Sequence, residues 1–198
     1  IEVDRMKTDF LAHAAHELRT PMANVFGFAE LLMTNDFDAA MSKDIAQTIH
    51  RQAARLNDIV SEVLDLSRID SGKGLSMMPT RFDLRDLVRE VVSEQSNLAD
   101  RVAVSHLDEL PSVMVLADRT RAAQCVVNVL SNAAKFSPEG SAIAIDIGSG
   151  RQWGYISIQD SGNGIRPENL AKIGRRFWRE DASGKVPGTG LGLAIVKE

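Results

Sequence analysis

A long helical hairpin followed by an α+β layered domain is the fold class this sequence predicts. Two observations predict the hairpin. Leu11, Ala15, Leu18, Met22, Val25, Ala29 and Leu32 follow one another at spacings of 4, 3, 4, 3, 4 and 3, an unbroken heptad seam. After the polar break TNDFDAAMSKD, Ile45, Ile49, Gln52, Leu56, Ile59, Val63 and Leu66 repeat that spacing. A third observation predicts the layered domain. Beyond Gly72, Gly74 and Pro79 the period changes, and helical stretches mix with segments of period two.

The elements follow in order. Two long helices with a short connection form an antiparallel hairpin. One hairpin buries a single face of each helix, and Val60 and Leu64 widen the second stripe. A dimeric four-helix bundle built from two hairpins is therefore expected over residues 1–71; the alternative is a hairpin packed on the rest of its own chain. Residues 72–80, inside IDSGKGLSMMPTRFD, read as a linker. The second domain then covers 81–198. In it, DLRDLVREVVSEQSNLA is helical with Asp83 as N-cap, and DRTRAAQCVVNVLSNAAK is helical with Asp118 as N-cap. The segments VAVSHL, VMVLA, SAIAIDIG and WGYISIQD read as strands. No internal repeat or low-complexity segment interrupts this order.

Composition narrows the function classes. The chain has 198 residues, 44% hydrophobic and 25% charged, which suits one large or two small soluble domains. A net charge of −4 provides no basic field, so no nucleic-acid partner is expected. No apolar run approaches the roughly 18 residues of a membrane span, and no signal peptide is visible. Cys125 is the single cysteine; it cannot form an internal disulfide and reads as a small buried hydrophobe in a reducing, cytoplasmic setting. The chain opens at IEVDRMKTDF, inside a pattern and without Met. A piece of a longer protein is expected, with any sensor or membrane contact in regions absent from this chain.

Within the first helix, FLAHAAHELRTPMANVFGFAELL carries Pro21 in its interior and His16 just before it. At 100° per residue, His16 falls about 140° from Leu11 and projects away from the seam. By position alone it is a solvated histidine. Pro21 lacks an N–H and its ring crowds the carbonyl of Glu17, at a cost of about 3 kcal/mol in a helix interior. A bend there is expected, beside an exposed imidazole that a second domain could approach. Near neutral pH much of such an imidazole is unprotonated and nucleophilic. His13, His50 and His106 read as structural or surface residues.

A second constellation lies in QCVVNVLSNAAKF. Gln124, Asn128, Asn132 and Lys135, spaced 4, 4 and 3, make a polar stripe on one helix face. It reads either as a solvated face or as a site for Mg-ATP. An asparagine oxygen suits Mg²⁺, and lysine is a point charge for phosphate. Two glycine loops follow, QDSGNGI after a strand and GTGLGLAIVKE before a helix. By itself the first reads as an Asp-Gly turn, while the amides of Gly188, Gly190 and Gly192 in the second could bind phosphate at a helix N-terminus. The second is not a dinucleotide fingerprint, since Leu193 stands where a third spaced glycine would fall, and it does not end like a P-loop.

His16-Glu17-Leu18-Arg19-Thr20-Pro21 resembles the phosphoacceptor box of two-component sensor histidine kinases. The stripe resembles that family's N box, Asp160-Ser161-Gly162-Asn163-Gly164 its first glycine box, and Gly188-Thr189-Gly190-Leu191-Gly192 its second. The boxes stand in the family order and cover nearly the whole chain. The resemblance implies a phosphotransferase, an ATP-dependent protein-histidine kinase, with a dimerisation and phosphoacceptor hairpin and a gyrase-like α/β two-layer sandwich that binds ATP. It implies that His16 accepts the γ-phosphoryl group and passes it to an aspartate on a response regulator's receiver domain. Glu17 would orient the imidazole and take its proton. Thr20 would position water for dephosphorylation of the regulator. Asn128 would bind Mg²⁺, Asn132 and Lys135 phosphates, and Gln124 would polarise or position the nucleophile. Asp160 would accept from the adenine amino group. Gly162, Gly164, Gly188, Thr189, Gly190, Leu191 and Gly192 would complete the nucleotide site.

There are departures from the family pattern. Gln124 stands where glutamate is common and cannot act as a base. Gly174 stands where the lid, residues 166–187, usually carries a phenylalanine. The chain stops at Glu198, short of the strands that usually follow, so an incomplete domain is expected. A non-enzymatic scaffold and a gyrase-class ATPase are the competing readings.

Overall fold

The computed structural model describes residues 2–70, 76–95, 103–105, 107–176, 178 and 189–198, with 2–13, 70, 103–105 and 108 described by backbone alone. The chain divides into two compact units, Ile1–Leu75 with Pro187–Leu191, and Ser76–Val186 with Gly192–Glu198.

The first unit is built on two helices, α1 (Glu2–Thr34) and α2 (Ala39–Asp70), joined by a short connection. Asp38 Oδ1 accepts from the Met41 amide at 2.7 Å, which satisfies one of the unpaired donors at the start of α2. The two seams meet over most of their described residues, but Ala15 and Met22 of the first are exposed instead of packed. Ile45, Ile59 and Leu66 of α2 are buried, and Leu18, Val25, Ala29 and Leu32 of α1 are half-buried. The proline does not end α1. The helix runs through Pro21, whose ring is fully buried. With Met22, a second set of apolar side chains is exposed in the single chain: Phe26, Met33, Val60 and Leu64.

The second unit is an α/β layer. It consists of β1 (Pro79–Asp83), α3 (Leu84–Glu94), β2 (Ala103–Ser105), a single 3-10 turn (Leu107–Glu109), β3 (Met114–Asp118), α4 (Arg119–Phe136), β4 (Ala142–Ser149), β5 (Gly154–Gln159), α5 (Pro167–Leu170) and α6 (Gly192–Lys197). β1 pairs antiparallel with β3, with Phe82 opposite Val115. In the other sheet β4 is central, parallel to β2 and antiparallel to β5, with Ile147 opposite Ile156. The strict alternation of β4 places Ile143, Ile145 and Ile147 inside. Leu87, Val88 and Val91 of α3 and Val126, Leu130, Ala133 and Ala134 of α4 close over them as one core.

Both expected N-caps form. Asp118 Oδ1 accepts from the Arg121 amide at 3.0 Å, and Oδ2 from the Met78 amide at 2.8 Å. Asp83 does more. Its Oδ1 accepts from the Arg85 amide at 2.9 Å and the Val113 amide at 3.0 Å, while its Oδ2 accepts from the Ser112 hydroxyl at 2.6 Å. The Ser112 hydroxyl above all, with the two amides, holds the Asp83 carboxyl below the usual carboxylate range against the opposing effect of burial.

Several expectations need correction. Residues 79 and 80 belong to β1 rather than to a linker. Proline is tolerated as the first residue of such a strand, where its missing N–H removes no ladder bond. The strand expected over VAVSHL is described only for Ala103–Ser105, and Leu107 already belongs to the 3-10 turn. The helix after Asp83 is described to Glu94; the remainder of its expected span and His106 lie outside the described residues. The short α5 had no counterpart in the sequence reading.

Candidate functional site

Two groups of chemically distinctive side chains are set out by these elements. The first lies on α1. The His16 imidazole is exposed and makes no hydrogen bond among the described residues. The helix places Thr20 one turn later on the same face, also exposed, with its hydroxyl 3.5 Å from the His16 carbonyl, at the outer limit of a hydrogen bond. Glu17 is on a different face. Its side chain is half-buried, and its Oε2 accepts from Arg55 Nη2 of α2 at 3.2 Å. Arg55 was not found by sequence reasoning, because it lies 38 residues away on the other helix and matches no motif.

The second group lies in the α/β unit. Gln124, Asn128, Asn132 and Lys135 all fall on α4 and are half-buried, as their spacing requires. The Gln124 carbonyl accepts from Arg121 Nη1 at 2.9 Å, another partner the sequence reading missed. Asn128 donates its amide nitrogen to the Gly192 carbonyl at 3.3 Å, which ties α4 to the first residue of α6. The Asn128 carbonyl oxygen has no partner among the described residues. Cys125 is half-buried on α4, and burial pushes its thiol up.

Asp160 follows β5 and is exposed. Its Oδ1 accepts from the Gly162 amide at 2.7 Å in a tight turn. A side chain at Gly162 would fall 2.8 Å from Asp160 Oδ1 and 2.8 Å from the Phe136 carbonyl oxygen, so glycine is required there by close approach. Gly164 lies further along the same loop with φ at 69°. Gly174 has a different explanation from the one its motif position suggests. Its φ is 70°, and an added Cβ would lie 3.1 Å from Lys197 Cδ and 3.4 Å from the Leu193 carbonyl. A phenylalanine could not take that backbone without strain.

The second glycine loop is only partly described, since Gly188 lies outside the described residues. Gly190 is left-handed with φ at 72°. Thr189 is in use, because its hydroxyl donates to Glu62 Oε2 at 2.6 Å, within the first unit, and accepts from the Leu191 amide at 3.2 Å. The Leu191 side chain is buried, so only its backbone could meet a ligand. Within the lid, Phe177 and residues 179–187 likewise lie outside the described residues. Among the described residues, no group of three or more acidic, histidine or cysteine side chains could hold a metal, and no helix is long and apolar enough to cross a membrane.

The chemistry available is thus a solvent-facing imidazole on one unit and an amide-rich, half-buried helix face with a turn carboxylate on the other. Residues 6–72 match the family model described as His Kinase A (phospho-acceptor) domain, and residues 117–198 match that described as Histidine kinase-, DNA gyrase B-, and HSP90-like ATPase. The chain is 35% identical over 201 residues to the sensor-like histidine kinase SenX3 of Mycobacterium tuberculosis, covering 98% of this chain and 48% of that protein. Among solved structures, it is similar to full-length ShkA in complex with AMPPNP, at a TM-score of 0.61 and 25% identity over 96% of this chain and 40% of that one. It is also similar to the histidine kinase ThkA in complex with the response regulator protein TrrA, at a TM-score of 0.57 and 26% identity over 90% of this chain and 52% of that one. The chain spans about half the length of SenX3, and less of other curated relatives.

Proposed function

This chain belongs to the sensor histidine kinases, and from that premise we propose that it is an ATP-dependent protein-histidine kinase core. It phosphorylates itself on His16 and passes the phosphoryl group to an aspartate of a response regulator's receiver domain. The observation that carries this reading is the exposed His16 imidazole, free of hydrogen bonds, one turn before a buried proline. A nucleophile that two partners must reach in turn has to be exposed, and Pro21 removes one backbone hydrogen bond where the helix would bend between those encounters.

The reaction asks mainly for positioning and charge neutralisation. One imidazole nitrogen forms the N–P bond as the bond from the γ-phosphorus to the bridging oxygen breaks. ADP leaves with that electron pair, and the proton on the other ring nitrogen passes to Glu17. Asn132 and Lys135 contact the phosphates, Gln124 helps position the nucleophile, and the Asp160 carboxylate accepts from the adenine amino group. Gly162, Gly164, Gly188, Thr189, Gly190, Leu191 and Gly192 line the nucleotide through their backbone. The donor set fits Mg²⁺, because Asn128 turns its amide nitrogen to Gly192 and leaves a neutral oxygen for a hard cation. Mg²⁺ bound there with the phosphates would neutralise their charge.

The parts are residues 1–71 as dimerisation and phosphoacceptor domain, 72–78 as linker once β1 is set apart, and the remainder as ATP-binding domain. The outward apolar set of Met22, Phe26, Val60 and Leu64 supports a homodimer with a four-helix bundle. Thr20 serves a regulator phosphatase activity. The whole is the cytoplasmic part of a membrane-bound sensor. Incubation with γ-labelled ATP and Mg²⁺ tests the central claim. Label should stay on the protein, be acid-labile and alkali-stable, and vanish in His16→Gln while nucleotide affinity is kept. Acid-stable label, or label surviving the substitution, places the acceptor elsewhere.

A further inference from the structure

Glu17 and His16 are adjacent in sequence, yet they point about 100° apart around α1. The structure gives the two side chains different partners. His16 has none among the described residues. Glu17, with its side chain 14% exposed, is engaged by Arg55 at 3.2 Å from the opposite helix of the hairpin. We infer that Arg55 is a positioning residue for Glu17: it holds the carboxylate on the α2 side of the hairpin, withheld from the His16 imidazole until the ion pair opens.

The strength of the pair suits a latch. Arg55 is 40% exposed, so water and salt screen it, and an ion pair of this kind contributes little to stability. It is strong enough to bias one rotamer of Glu17 and weak enough to open within a turnover. A fully buried pair would be too costly to break. Opening frees a carboxylate next to an imidazole that must shed a proton as its other nitrogen attacks phosphorus. This inference rests on the proposed function, since it assigns when the base of that reaction becomes available.

Single-turnover labelling of the intact chain with Mg-ATP tests it. In Arg55→Ala the rate constant at saturating ATP should rise about threefold, the factor expected when a pair of surface strength is removed. The KM for ATP should not move, because the nucleotide groups lie on α4 and its neighbouring loops. Arg55→Lys, which keeps the charge, should label at the wild-type rate. In the Glu17→Gln background, Arg55→Ala should bring no gain. A rate equal to or below wild type in Arg55→Ala, or a gain that persists without Glu17, overturns the inference. Should circular dichroism show Arg55→Ala unfolded, Arg55→Gln is read by the same criteria. An unlabelled wild type would instead overturn the proposed function, so the two failures are distinguishable.

Discussion

The two units solve the problem of apolar surface in opposite ways. The α/β unit gathers a closed core, in which Leu87, Val88, Leu130 and Ile143 are all at 0% exposure, although Leu116 and Trp153 stay exposed on its surface. The hairpin does not. Its seams bury Ile45, Ile59 and Leu66, while Phe26 stays 69% exposed and Met33 86% exposed. Two helices have only one shared seam, whereas a sheet face covered by two helices encloses a core between the layers. One unit therefore holds a closed core of its own, and the other leaves an apolar face that the proposed second hairpin would cover.

The sharpest way to break this contrast is to excavate the closed unit. Leu130→Ala should destabilise it by about 2–5 kcal/mol, the range for a fully buried leucine whose cavity relaxes only partly. Both tryptophans, Trp153 and Trp178, belong to this unit, so fluorescence-detected urea unfolding follows it alone. An unchanged midpoint would mean the core is not closed. The open unit should respond in chemistry instead. Thr20→Ala should slow dephosphorylation of the phosphorylated regulator by about 10²-fold, the low end for a positioned acid–base group, and leave autophosphorylation within a few-fold of wild type. At 3.5 Å its bond to the His16 carbonyl is too long to hold the helix. Equal losses in both rates would make Thr20 a structural residue.

Phe26→Glu probes the exposed face. In a lone hairpin it should change stability by less than about 0.5 kcal/mol, as exposed substitutions do. In a dimer it should weaken association at least about tenfold, the equivalent of roughly 1.4 kcal/mol. Sedimentation at several concentrations reads this directly, and an unmoved equilibrium argues against the four-helix bundle. The smallest effect belongs to Asp83→Ala, which should cost the α/β unit about 1 kcal/mol at neutral pH through loss of the cap. Because the folded carboxyl titrates below its unfolded value, its contribution is present above that value, near about 3.9, and is lost as pH falls through the folded one. The difference between wild type and variant should shrink on acidification in that window. A constant difference would show that the charge is irrelevant.

Legibility in the sequence followed the range of the interactions. The hairpin was legible because a heptad repeats the same local rule for many turns, and β4 because alternation over AIAIDIGS has a single outcome. The first strand was not. PTRFD follows a glycine-rich stretch, and only its last two residues are buried, so no period shows. The four residues of α5 are too few for any periodicity. At the site, motif positions marked His16, Asn128 and Asp160, while the partners that orient their neighbours were invisible. Arg55 reaches Glu17 across 38 residues, and nothing in RQAARLND marks that arginine among others. Gly174 read as a defect in a lid motif, although its left-handed backbone is a local demand that glycine meets.

Asp83 carries one more consequence, for the route by which the α/β unit assembles. Its carboxylate joins the first turn of α3 to Ser112 and Val113, about 30 residues further along the chain. Alone, α3 is an 11-residue segment, too short to persist in water. Its cap is complete only when the distant segment has arrived. Helix start and long-range closure thus become a single event. The amides of α3 should exchange with solvent at the rate of the whole unit, without the early fraying that a helix with a purely local cap would show.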